Sequence, residues 1–194
     1  MDNKSIFGLN LQIDPIRVAF IGKQCSGKTT MANFMLKSYE KIGPGIIIKF
    51  ADPIYEALDV LKKKKHRLFM QKFGSLAQEC FGENIFVNLF NRKMREEYNE
   101  DFKYAIIVCD DVRRKFEFDT VKNQGFITVY VDTPVEIRRN RSNMLKLEFN
   151  EDHESELYVD ELKELCDMQI KGNAKKNEME DYFNAIRIFA NTRQ

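Results

Sequence analysis

The run Gly22-Lys23-Gln24-Cys25-Ser26-Gly27-Lys28-Thr29 has the residue types and spacing of a phosphate-binding P-loop, G-x-x-x-x-G-K-S/T. Glycine lets the backbone wrap close to an anion because no Cβ intrudes. The unpaired N–H groups at the start of the following helix, and the helix dipole, then attract phosphate. In such a turn Lys28 supplies a point charge to the terminal phosphates, and the Thr29 hydroxyl binds Mg²⁺. The backbone from Gly22 to Thr30 is therefore the expected binding site of the phosphoryl donor, ATP with Mg²⁺.

Two further groups of residues suit the same chemistry. Asp110 and Asp111 end the apolar run Tyr104–Cys109, which places them at the carboxyl edge of a buried strand. In open α/β sheets that edge faces the ligand. One of the pair, Asp110 or Asp111, is expected to support the magnesium shell beside Thr29, and the other to cap the next helix. The second group is Arg138, Arg139 and Arg141, just after the strand Phe126–Val131. Arg138 and Arg141 share a helix face at i, i+3 spacing, and guanidinium groups neutralise charge on a transferring phosphoryl. A solvated helix would also carry such a cluster. With the P-loop upstream, the cluster reads as the start of a mobile lid over residues 138–155.

These groups need a scaffold that brings strand ends together. Apolar runs predict strands near 17–21, 46–50, 105–109, 127–132 and 168–171. Between them, helical spacing predicts helices from Lys28 to about Lys41, from Asp52 (with Asp52 as N-cap and Pro53 at the first position), and over Phe69, Phe73, Leu76, Ala77 and Cys80. Further helices are expected in part of 83–103, before Gln124, over 134–142, over 157–166, and through Met179–Phe189. Strands alternating with helices mean an α/β fold with a parallel sheet and helices on both faces. Lys62–Arg67 reads as a solvated helix end, with Arg67 near enough to an acceptor to matter. The chain is expected to be a single domain over 1–194, with its core from about 15, an acceptor-binding insertion at about 52–103 and the lid.

Composition sets limits. The chain has 194 residues, 43% hydrophobic and 31% charged, with a net charge of +1. No global field draws it to nucleic acid or a membrane surface. No apolar run reaches the ~20 residues of a membrane span. Four scattered cysteines and two histidines make a structural zinc site a poor fit, and a reduced, cytoplasmic setting is expected. The polar start Met1–Ser5 lacks the apolar core of a signal peptide.

Five stretches in order resemble the P-loop nucleoside monophosphate kinases, most closely the bacteriophage-type deoxynucleoside monophosphate kinases. They are Gly22–Thr30; Phe50-Ala51-Asp52-Pro53; Arg67 with Gln71-Lys72-Phe73-Gly74-Ser75; Asp111-Val112-Arg113 with Glu117; and His153-Glu154-Ser155-Glu156. The family often has an Arg where Gln78-Glu79 stands here, and a Trp near Phe86, which this chain lacks. The resemblance implies a P-loop NTPase three-layer sandwich of about five strands. It implies transfer of the γ-phosphoryl of ATP to a (deoxy)nucleoside monophosphate by a monomer or homodimer. It places Arg67, Gln71, Arg113 and Glu117 on the acceptor or lid side. Asp52, which closes the second strand at the functional edge, is a further acceptor-side candidate, and the chemistry set out above makes Lys28, Arg138, Arg141 and Asp111 the candidate catalytic residues. A kinase of another small metabolite, of the phosphomevalonate or nucleoside type, and a non-catalytic nucleotide-binding protein remain alternatives.

Overall fold

The strand Ile16–Ile21 (β1) is wholly buried from Val18 onward, so it needs an apolar layer on each side. The computed structural model, which describes residues 15–64, 66–98, 104–151 and 154–193, provides both. Alternate side chains of β1 and of Ile106–Val112 (β3) enter two separate cores. Ala19, Ile21, Ile107 and Cys109 face one; Val18, Phe20, Ile106 and Val108 face the other. Helices α1 (Lys28–Tyr39) and α8 (Lys176–Thr192) close the second core through Met31, Met35, Phe183 and Ile186. The first is closed by α2 (Asp52–Val60), α4 (Ile85–Lys93), α5 (Lys115–Asn123) and α7 (Glu154–Lys163) through Ile54, Phe90, Phe118 and Leu162. The remaining helices are α3 (Arg67–Phe81) and α6 (Val135–Met144), with a π turn, Met94–Tyr98, continuing α4.

With β2 (Gly45–Ile48), β4 (Ile127–Asp132) and β5 (Met168–Lys171), the sheet has five strands in the order β2-β3-β1-β4-β5. Every pairing is parallel, so all carboxyl ends share one edge. The expected α/β three-layer architecture is thus observed. Among the described residues no helix is long and apolar enough to cross a membrane.

Three local expectations are corrected. First, β3 runs past Cys109 through Asp110, Asp111 and Val112. Ala19 pairs with Cys109 but Ile21 pairs with Val112, so β3 carries one extra residue against β1. Such a bulge re-aims side chains at a strand end. Second, Lys62–Lys64 are an exposed loop and not a helix end. Lys62 takes φ 52°, a left-handed conformation that stops α2. Third, the apolar face of α3 is Phe69, Met70 and Ala77, while Phe73, Leu76 and Cys80 are exposed.

Gly172, just past β5, is the tightest point between sheet and P-loop. A Cβ there would overlap the Ser26 carbonyl oxygen and Thr133 Oγ1. Overpacking of that kind forces backbone to move. Gly172→Ala is expected to lower stability by about 3 kcal/mol in chemical denaturation.

Candidate functional site

The P-loop joins β1 to α1 at the carboxyl edge. Its turn needs left-handed backbone at Cys25 (φ 60°) and at Gly27 (φ 105°), where a Cβ would lie 2.9 Å from the Gly172 carbonyl oxygen. The carbonyls that the loop turns outward are met by side chains. Lys28 Nζ donates to Gly22 O at 2.5 Å and Lys23 O at 2.8 Å. Arg141 Nη1 donates to Cys25 O and Ser26 O, both at 3.1 Å, and its Nη2 to Gly172 O at 3.0 Å. Thr133 Oγ1 donates to Ser26 O at 2.7 Å. Lys23 reaches away to Asp160 at 2.7 Å. Thr30 is exposed at the head of α1.

Lys28 is a buried cation. Burial pushes its pKa down from 10.5 to about 7, and the nearby Arg113 guanidinium adds to the effect against the pull of Glu156 and Asp110.

The bulge in β3 gives the two aspartates different partners. Asp110 is buried, and its Oδ2 accepts the Thr29 hydroxyl at 2.6 Å. Its Oδ1 pairs with the Lys49 ammonium. Burial works against the Lys49 charge, yet Asp110, with Asp111 behind it, lifts the lysine pKa above its ordinary value. Asp111 turns the other way and accepts the N–H groups of Phe50 at 3.1 Å and Ala51 at 3.0 Å. Burial and the Asp110 charge raise the Asp111 pKa against those bonds. Neither aspartate caps the next helix; Asp111 caps α2, some 60 residues upstream. Asp52 is accordingly one residue inside α2, where it accepts Lys49 N–H at 3.1 Å and pairs with Lys93 at 3.2 Å.

Of the residues expected to face an acceptor, Arg67 opens α3, and Gln71 lies one turn on. Arg113 follows β3 and its Nη1 donates to Glu156 Oε1 at 2.6 Å. Glu117 Oε2 accepts the backbone N–H groups of Arg113 at 2.7 Å and Arg114 at 3.1 Å, fixing the turn that aims Arg113. Burial first, and the Asp111 charge second, raise the Glu117 pKa to about 7.

Arg138 is buried, not poised in solvent. Its Nε donates to Thr133 O at 3.1 Å and its Nη2 to Glu151 Oε1 at 2.5 Å, with the Phe149 ring 5.6 Å away. Gln24 Nε2 donates to Glu148 O at 2.7 Å. Residues 145–151 are therefore tied to both α6 and the P-loop. His153 lies outside the described residues.

Sequence reasoning gave no role to Lys49 or Glu156. Glu156 is fully buried, and its Oε2 accepts the Gln24 N–H of the P-loop at 2.7 Å. Burial would raise its pKa, but Arg113, the Gln24 N–H and Lys28 together hold it below the usual carboxylate range. A signal was present: Glu156, Val159 and Leu162 recur every three residues, so a charge sits on the buried face of α7.

The arrangement can hold a polyanion between Lys28, Arg113 and the loop, beside the paired oxygens of Thr29 and Asp110. Two aspartate variants separate the roles. Asp110→Asn is expected to raise the Mg²⁺ concentration needed for half-maximal activity, and to lower the melting temperature because the Lys49 ammonium loses its partner. Asp111→Ala leaves two backbone N–H groups unpaired and is expected to cost about 2 kcal/mol in denaturant titrations, with the Mg²⁺ dependence unmoved.

No protein-family model matches the sequence, and no curated protein sequence matches it significantly. Solved structures do. A shikimate kinase from Aquifex aeolicus is similar with TM-score 0.53 and 16% identity, over 92% of this chain and 98% of that one. The protein TT1252 from Thermus thermophilus is similar with TM-score 0.54 and 16% identity, over 91% and 98%. A shikimate kinase from Acinetobacter baumannii, in complex with shikimate, is similar with TM-score 0.51 and 15% identity, over 93% and 95%. At these identities the likeness is one of fold and does not separate deoxynucleoside monophosphate kinases from kinases of other small molecules. The chain has the five-stranded parallel α/β fold of the shikimate kinase-like P-loop kinases.

Proposed function

We propose that this chain transfers the γ-phosphoryl of ATP to a (deoxy)nucleoside monophosphate, giving ADP and the diphosphate. The observation that carries the reading is the convergence of Lys28, the Thr29–Asp110 pair and Arg113 at one sheet edge, around the P-loop. The nucleophile would be an acceptor phosphate oxygen, whose second pKa of about 6 leaves it deprotonated at neutral pH. No general base is then required, which agrees with Asp52 being held by Lys93 and the Lys49 N–H.

In this reading Lys28 neutralises charge on the transferring group, and Arg113 grips the acceptor phosphate, aimed by Glu117. Asp52, Arg67 and Gln71 belong to the acceptor wall. Arg141 fixes the carbonyl side of the P-loop, and once donor and acceptor are both bound Arg138 would hold 145–151 over the site, keeping water from the γ-phosphoryl. Asp111 acts through the α2 start that it caps. Thr29 and Asp110 offer a hard oxygen pair suited to Mg²⁺, which typically takes few protein ligands and fills its shell with water and phosphate. When bound, Mg²⁺ would stabilise charge on the β- and γ-oxygens.

A second reading, a kinase for a hydroxyl acceptor, draws on the shikimate kinases that share the fold. A coupled assay of ADP release separates the two. Deoxynucleoside monophosphates are expected to support turnover, and the hydroxyl acceptors, nucleosides and shikimate, are not; the reverse pattern would favour the second reading. Lys28→Ala is expected to reduce turnover about 10²–10³-fold with the fold intact by circular dichroism.

The depressed Lys28 pKa makes a further test. Above pH 7 the side chain is mostly neutral in the free protein, and a bound polyphosphate restores its charge. ATP binding at pH 8 is therefore expected to take up close to one proton, read by calorimetry in buffers of different ionisation heat. Apparent affinity should fall as pH rises from 7 to 8.5. Lys28→Arg, always charged, should show neither effect.

A further inference from the structure

The Glu156 carboxylate lies where an anion meets the P-loop, and the segment before it is tied to the same loop residue. One oxygen takes the Gln24 N–H at 2.7 Å and the other takes Arg113 Nη1 at 2.6 Å. A backbone N–H of the P-loop and a guanidinium are the donor set a phosphoryl oxygen would use. Glu156 is also within electrostatic reach of Lys28, whose own bonds run to the Gly22 and Lys23 carbonyls. Gln24 holds the segment twice, through its backbone to Glu156 and through its side chain to Glu148 O.

We propose that Glu156 is an internal phosphate surrogate: it competes with the donor's phosphates for the Gln24 N–H and meanwhile holds Arg113, and a bound polyphosphate expels it, frees Arg113 and loosens residues 145–151. The inference rests on the reading that the P-loop binds nucleotide phosphates, and adds a regulatory role for a residue that reading leaves without one. Charge decides the competition. A fully buried carboxylate is tolerated here because Arg113 and the N–H compensate it. A polyphosphate beside Lys28 would engage that ammonium and the Gln24 N–H and repel the carboxylate in a low-dielectric site. Once freed, Arg113 can turn to phosphate. Binding the donor would thus arm the acceptor side, and without polyphosphate the carboxylate holds the segment down.

Glu156→Gln keeps the size and the acceptor for the Gln24 N–H but removes the charge. The test measures inorganic tripolyphosphate and ATP binding to the full chain by calorimetry. The variant is expected to bind both at least fivefold more tightly than the wild type. If the wild type binds neither, the P-loop reading falls, and this inference with it. If the wild type binds and the folded variant binds equally or less tightly, Glu156 is a supporting residue and the inference alone is overturned. If Glu156→Gln does not fold, hydrogen exchange of the wild type decides. Exchange over 145–151 is expected to speed up on adding tripolyphosphate; unchanged or slower exchange overturns the proposal.

Discussion

The P-loop is built from backbone, and its surroundings follow from one requirement. Each carbonyl it turns outward must be met by a donor, or the turn cannot hold its shape beside an anion. Gly22 and Lys23 are met by Lys28, Cys25 by Arg141, and Ser26 by Arg141 and Thr133 together. The lysine that a motif reading assigns to phosphate thus also braces the loop that carries it. Gly172 lies against the Ser26 carbonyl on the β5 side, so the loop is braced from three elements at once.

Packing so many cations around one turn has an electrostatic consequence. Burial disfavours the Lys28 charge, and the Arg113 guanidinium adds to this. Glu156 and Asp110 offset part of this, one at the Gln24 side and one at the Thr29 side. The site is balanced by carboxylates that a phosphate chain could replace or neighbour. Structural ion pairing, and in the proposed reading ligand recognition, draw on the same groups, so charge gathers at the sheet edge in a chain whose net charge is only +1.

The β3 bulge decides what two adjacent aspartates do. In a regular strand, neighbours face opposite sides of the sheet. Here one extra residue against β1 comes just where Asp110 and Asp111 stand. Asp110 reaches Thr29 and Lys49, and Asp111 reaches the Phe50 and Ala51 N–H groups. One residue thus meets the P-loop threonine, and the next fixes the start of α2.

Much of this was legible before any coordinates. The P-loop and its flanking strand and helix are contiguous, so local spacing and glycine conformations suffice to recognise them. The five strands stand out because a strand covered on both faces must be apolar throughout. Helix α3 was less legible, since Phe73 and Leu76 have the spacing of core residues but lie exposed. Arg138 and Arg141 were identified as a pair on one helix face, yet which groups they grip was not readable, because the carbonyls of Thr133, Cys25 and Gly172 come from three different loops. The sequence by itself determined the fold class, the phosphate-binding turn and the sheet edge at which chemistry would gather, because these depend on periodicity and on neighbours in the chain. Only the tertiary structure decided that Asp110 and not Asp111 meets Thr29, that Asp111 caps α2, and that Glu156 enters the P-loop. Those contacts join residues 60 to 132 positions apart, and they are set by a bulge, a strand order and a buried helix face that no local pattern encodes.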